Sequence, residues 1–216
     1  MIDYLILDVD NTLYPQSTGL GREMSRLMTG FVARFLGVDE ATAEELRREA
    51  RRRHGTTLAW LLEEAGLEHA DPYLEAVHPA DLSPWITEEH AEEARAVLSA
   101  IDLPASVLTN SPIEHAERVI DRLGLSDRFD RVFDLRSNGF VGKPAPSVYQ
   151  RVLDELEIRA NTTLFVDDMV QYLLPFRDLG GNVVHVTAAG PSDTEIPTIE
   201  ALRDLVPIIY PSRSRG

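Results

Sequence analysis

The sequence predicts an α/β protein with a doubly wound parallel sheet and a small helical cap inserted after the first strand. Three observations lead there. Short apolar runs break off abruptly at polar or acidic residues, helical periodicities separate the later runs, and a long stretch after the first run has helical periodicity but no strand.

Tyr4-Leu5-Ile6-Leu7 stops at Asp8, the form of a strand buried on both faces. Ser106-Val107-Leu108 before Thr109, Arg131-Val132-Phe133 before Asp134, and Thr163-Leu164-Phe165-Val166 before Asp167 repeat it, and Asn182-Val183-Val184-His185-Val186 is a fifth candidate. Ser111-Pro112-Ile113-Glu114 reads as a capped helix start, with Ser111 as N-cap, Pro112 at the first helical position and Glu114 completing a capping box. Val119, Ile120 and Leu123 give that helix its apolar face and Gly124 ends it. A second helix runs from about Ser147 through Val148, Val152, Leu153 and Leu156. Strands and helices thus alternate from Leu103 onward, implying βαβ crossovers.

Between Pro15 and about Thr87 the pattern is helical. Met24, Leu27, Met28, Phe31, Val32, Phe35 and Leu36 share one period before Gly37 stops it. Asp39 caps a helix ending near Gly55, and Thr57-Leu58-Ala59-Trp60-Leu61-Leu62 opens another that ends at Gly66. The expected division is a core of residues 1–15 and 87–216 and a cap of residues 16–86. The insertion is extra packing or a lid over the strand ends where open α/β sheets bind ligands, and its position favours the lid.

A net charge of −15 disfavours a nucleic-acid partner, because such binding draws on Lys and Arg neutralising phosphates. A small anionic substrate remains open. The basic run Arg47-Arg48-Glu49-Ala50-Arg51-Arg52-Arg53-His54 follows Glu44 and Glu45, so it reads as a solvated helical face or, less simply, a phosphate or partner contact. The chain has no cysteine, which fits a reducing compartment, and it has neither a leader-like basic start at Met1 nor a run of membrane-span length. A cytoplasmic protein with no membrane partner is the expectation. There is no internal repeat, and Ser212 to Gly216 reads as a tail without a role.

Asp8 and Asp10 follow the first strand in DVDNTL, so both carboxylates lie at one mouth of the sheet or form a plain polar turn with Asn11 and Thr12. Later features favour the first reading. Thr109-Asn110-Ser111-Pro112 joins a strand end to a helix N-terminus, bringing a hydroxyl, an amide and backbone N–H groups together as a phosphate cradle. Lys143, in Gly142-Lys143-Pro144, can balance phosphate charge. Asp167 and Asp168 end a strongly apolar strand and, with Asp8, offer oxygen ligands suited to Mg²⁺.

DVDNTL, LTNS, GKPAP and FVDD, in this order at strand ends, resemble the four motifs of the haloacid-dehalogenase superfamily. The resemblance implies Asp8 as nucleophile, Asp10 as general acid and base, and Thr109 and Lys143 as phosphate contacts, to which the cradle reading adds Asn110 as a substrate-binding residue. It also implies Mg²⁺ held by Asp8, the Asp10 carbonyl and Asp168, with Asp167 nearby through water. Asp10 favours phosphate chemistry over halide displacement, which needs no acid two residues on. DNTLYPQSTGL and HGTTLAWL resemble the pyrimidine 5′-nucleotidase group, so a pyrimidine nucleoside 5′-monophosphate is the expected substrate. A phosphatase of sugar phosphates or other metabolites is the nearest alternative. The chain departs from the family at Met169 and Tyr172, where relatives carry serine and asparagine, and this motivates a third reading, a low-turnover binding or regulatory protein on the same fold.

Overall fold

The computed structural model describes residues 1–190 and 195–211; the tail from Ser212 lies outside the described residues. Six strands, β1 (Tyr4–Leu7), β2 (Ala105–Leu108), β3 (Val132–Phe133), β4 (Thr163–Asp167), β5 (Asn182–Val186) and β6 (Thr198–Ile199), form one sheet. Their order is β3-β2-β1-β4-β5-β6 and every neighbouring pair is parallel. The five strands expected from the sequence are present. β6 is an addition, at two residues too short to show any periodicity.

After β1 the chain enters α1 (Leu20–Leu36), α2 (Glu40–His54), α3 (Thr57–Glu63) and α4 (Asp71–Val77). Gly37 ends α1 in the left-handed region at φ +68°, and Asp39 caps α2 by accepting the Thr42 N–H at 2.8 Å, both as the sequence indicates. α4, opened by Asp71-Pro72, has no expected counterpart. Val32, Ala43, Leu61, Tyr73 and Val77 bury a separate apolar cluster among these helices, and Leu135 joins it from the loop after β3. At the other end, Leu20 and Met24 pack into the cluster on the sheet.

α5 (Glu88–Ser99), α6 (Ile113–Leu123) and α9 (Leu205–Ile209) cover one face of the sheet, and α7 (Pro146–Glu155) and α8 (Val170–Asp178) cover the other. The period-two geometry of a strand does the sorting: Leu5 and Leu7 of β1 join the first layer, Tyr4 and Ile6 the second. Among the described residues no helix is long and apolar enough to cross a membrane.

The start of α6 differs from expectation. Pro112, not Ser111, is the N-cap residue, and no side-chain cap bond forms there. The Ser111 hydroxyl donates to Asp10 Oδ2 at 2.6 Å instead, because a hydrogen bond to a carboxylate is stronger than one to a neutral peptide. Asp134 takes over the capping, accepting the Ile113 N–H at 3.1 Å.

Candidate active site

The strand order puts β1 between β2 and β4, and the chain builds the sheet outward in both directions from there. This is the switch point at which open α/β sheets form a crevice outside the carboxyl ends of their strands. Asp8, Thr109 and Asp167–Asp168 therefore converge although more than 150 residues separate the first from the last.

Lys143 is the hub. Its Nζ donates to Asp8 Oδ1 at 2.8 Å, to Asp167 Oδ2 at 2.6 Å and to the Leu108 carbonyl at 2.9 Å, which uses all three ammonium hydrogens. The group is buried, at 1% exposure. Burial works against its charge, but Asp167 and Asp8 outweigh it and hold the ammonium well above its ordinary pKa, so it is a fixed cation.

Asn110 was expected to face phosphate. Both ends of its amide are engaged by the Lys143 backbone: Oδ1 accepts the N–H at 2.7 Å and Nδ2 donates to the carbonyl at 2.9 Å. It pins the lysine loop, and Gly142 lets it approach, since a Cβ there would lie 2.6 Å from Asn110 Oδ1. Thr109 is buried and its Oγ1 accepts the Ser111 N–H at 3.0 Å. The cradle is thus tighter and more internally bonded than the sequence suggests.

Asp8, Asp167 and Asp168 each offer a carboxylate oxygen within 4.8 Å of the others, a cluster able to hold a metal ion. Burial raises the pKa of all three. For Asp168 burial and then the Asp8 charge push it up to about 7. Three acids share one lysine, a deficit of positive charge that a hard divalent cation would correct, so the donor set fits such an ion. Within the cluster the two neighbours differ. Asp167 is fully buried with both oxygens engaged, by Lys143 and by the Met169 N–H at 2.8 Å. Asp168 is half-buried and accepts one side-chain hydrogen bond, from Asn11 Nδ2 at 3.0 Å. Asn11 reaches it from a left-handed backbone at φ +62°, which asparagine tolerates.

Asp10 is held by three donors that the sequence reading did not assign to it. Tyr14 OH lies 2.6 Å and His115 Nε2 2.7 Å from Oδ1, and Ser111 Oγ lies 2.6 Å from Oδ2. Burial alone would raise its pKa, but His115, Ser111 and Tyr14 together hold it well below the usual carboxylate range. His115 is fully buried, and the His78 ring packs against it at 4.8 Å. On α6, His115 sits beside Ala116, Val119 and Ile120 in an apolar stripe, so helical spacing alone marks it as core. Tyr14 lies one turn beyond Asp10, and that offset was the available signal.

Over the site, the helices after β1 enclose a cleft of about 170 Å³. Asp10, Asn110 and Tyr172 border it from the sheet side, and Arg47, Arg51 and Tyr73 from the helical side. The turn between α2 and α3 closes onto the lysine loop: a Cβ at Gly55 would lie 3.6 Å from Pro144 Cδ. The basic run is only partly a solvated face. Arg48, Arg51, Arg52 and Arg53 are exposed, whereas Arg47 is 2% exposed, because its position faces α1.

Comparison with known proteins agrees with this geometry. The model of a hydrolase family described as haloacid dehalogenase-like hydrolase matches residues 2–174. Bifunctional epoxide hydrolase 2 of Rattus norvegicus is 29% identical over 92 residues, which cover 41% of this chain and 16% of that relative's length. A HAD phosphatase from Thermococcus onnurineus superposes with a TM-score of 0.57 at 18% identity, over 96% of this chain and 98% of the other. A Bacillus subtilis HAD-hydrolase bound to magnesium gives 0.64 at 18%, over 96% and 98%. The L-2-haloacid dehalogenase of Xanthobacter autotrophicus, with chloropropionic acid covalently bound, gives 0.59 at 18%, over 98% and 100%. At these identities the structures show a shared fold.

Proposed function

The chain belongs to the haloacid dehalogenase-like hydrolases, and from that premise we propose that it hydrolyses phosphate monoesters through a phosphoaspartate on Asp8, with Mg²⁺ as cofactor. The observation that carries this reading is the second acid. Asp10 is fixed at the mouth of the sheet by Tyr14, Ser111 and His115, and a protonatable group there serves an alkoxide leaving group, whereas a departing halide needs none.

Asp8 attacks phosphorus and splits the displacement into two easier steps. Lys143, already bonded to Asp8 Oδ1, balances the phosphoryl oxygens as they approach. The Thr109 hydroxyl hydrogen bonds to the same oxygens, and Asn110 fixes the lysine loop. The resting site keeps Asp10 ionised; a phosphate dianion arriving beside it opposes that ionisation and moves the carboxyl toward the acid form. Asp10 then protonates the leaving oxygen and, as the anion, takes a proton from the water that cleaves the phosphoaspartate. A divalent cation held by Asp8, Asp168 and the Asp10 carbonyl would supply further neutralisation of phosphoryl charge, with Asp167 close by through water.

The substrate is a small phosphorylated metabolite, and the motif resemblance ranks pyrimidine nucleoside 5′-monophosphates first and sugar phosphates second. The test is phosphate release from 4-nitrophenyl phosphate and a panel of both classes, with chelator and then with Mg²⁺ restored. Release that stops on chelation and returns with Mg²⁺ supports the reading. Metal-independent halide release from a 2-haloacid, with no phosphate release, overturns it.

A further inference from the structure

The cleft above Asp10 has an electrostatic imbalance that phosphate chemistry at Asp8 does not use. Arg47 is 2% exposed and borders this cleft. Its Nη1 donates to the Ser25 carbonyl at 2.8 Å and Nη2 meets only the Met28 sulfur at 3.2 Å, a weak acceptor. Its Nε is buried with no hydrogen-bond partner. No carboxylate lies within ion-pairing distance of Arg47 or of Arg51, among the described residues, although Arg48, Arg52 and Arg53 on the same helix all pair with glutamates.

In a chain of net charge −15, acidic partners are plentiful. A buried guanidinium left without one is costly, and burial lowers its pKa in keeping with that cost. Bracing α1 against α2 needs only the neutral hydrogen bonds to Ser25 and Thr29, and a charge adds nothing to that role. Arg51 borders the same cleft, so two unpaired cations of α2 face a space whose far wall is Asp10. Met24, Met28, Leu58 and Tyr73 line the stretch between, giving a substrate an apolar passage to the arginines.

Resting on the phosphomonoesterase reading, we propose that Arg47 and Arg51 form a second oxyanion subsite. The substrates would then be phosphate monoesters that carry a second anionic group, carboxylate or phosphate, at the end remote from Asp8. Arginine suits either group, since its fork bonds both in bidentate fashion. A nucleotide substrate would on this view be one with an additional anionic substituent.

The test uses matched pairs that differ only in the remote group: 3-phosphoglycerate with glycerol 3-phosphate for carboxylate, and fructose 1,6-bisphosphate with fructose 6-phosphate and uridine 3′,5′-bisphosphate with uridine 5′-monophosphate for phosphate. The readout is the ratio of kcat/KM within each pair, so a loss common to both members cancels. At least one pair should favour the doubly anionic member by roughly tenfold or more, and Arg47→Met should reduce that ratio by about ten- to a hundredfold, the range for a charge-assisted hydrogen bond. Arg47→Lys should restore part of it. If Arg47→Met does not fold, judged by thermal unfolding, Arg51→Gln, at the solvent-exposed residue of the pair, should lower the same ratio. Which pair responds distinguishes a carboxylate from a phosphate.

Turnover of monoesters with no preference in any pair, or a preference unchanged in the variants, overturns the subsite and leaves the phosphatase reading standing. No turnover of any monoester, 4-nitrophenyl phosphate included, removes the phosphatase reading and the subsite with it.

Discussion

The ammonium of Lys143 lies 5.3 Å from the centroid of the Tyr172 ring, at the position where the motif resemblance leads one to expect asparagine. The Phe165 ring lies 5.4 Å from the same nitrogen. In place of an amide acceptor the lysine has a wall of aromatic electron density, which attracts the cation and shields it from water. This arrangement is compatible with turnover, because the lysine keeps its bonds to Asp8 and Asp167. Tyr172→Leu should therefore lower kcat/KM for 4-nitrophenyl phosphate by no more than about tenfold, the scale of one desolvated cation–π contact. Steady-state kinetics on the folded variant checks this, and a loss beyond a hundredfold would give Tyr172 a larger part.

Asp167 and Asp168 are neighbours in sequence with different surroundings. Asp167 has both oxygens committed within the protein, whereas Asp168 keeps acceptor capacity at a half-buried position. Asp168→Ala should weaken Mg²⁺ binding by at least about tenfold, on the scale of one lost charge-assisted contact, with little effect on folding. Asp167→Ala leaves a buried ammonium with one carboxylate in place of two and should cost roughly 3 kcal/mol of stability. Metal titration by calorimetry paired with thermal unfolding separates the two, and the reverse order of metal affinities would exchange their roles.

Asp8→Asn removes the proposed nucleophile but keeps its shape. Lys143 retains Asp167 and the Leu108 carbonyl, so the fold should survive, with thermal unfolding close to the parent. Phosphate release should fall by about a thousandfold or more, since an amide oxygen cannot form the acyl phosphate. Residual activity above about a tenth of the parent, in protein free of contaminating phosphatase, would place the nucleophile elsewhere.

His78 gives a pH signature. Burial, and then the neighbouring His115 charge, lower its pKa from 6.5 to about 4. The folded state thus binds fewer protons than the unfolded state between these values. Stability from this group is whole above pH 6.5 and is lost as pH falls through that window toward 4. The loss amounts to at most about 3.5 kcal/mol. Denaturant unfolding of the parent and of His78→Gln at several pH values should show the parent losing more stability as the pH is lowered from 6.5. Parallel curves would mean that His78 is not held neutral.

The alternation of apolar runs and helical periods determined the parallel sheet, and the run ends determined which carboxylates lie at its mouth, because strand burial and strand termination are local properties of the chain. Asp8 and Asp167 were legible for that reason, at or just beyond a strand end, whereas Lys143, in the loop before α7 and well past β3, was legible only through its GKPAP motif. The chain of donors around Asp10 was not. Ser111 resembles a helix cap and His115 a core residue until α6 is set beside β1, and the contact between positions 10 and 115 exists only once β2 pairs with β1. Arg47 is the same case in the inserted helices. In sequence it is one of five arginines in a basic run, and only the packing of α2 against α1 takes it out of solvent and leaves its four companions exposed. Local pattern decides which element a residue joins and which face it occupies. What lies opposite that face depends on the order in which strands pair and helices pack, and that order is decided by the burial of the whole core.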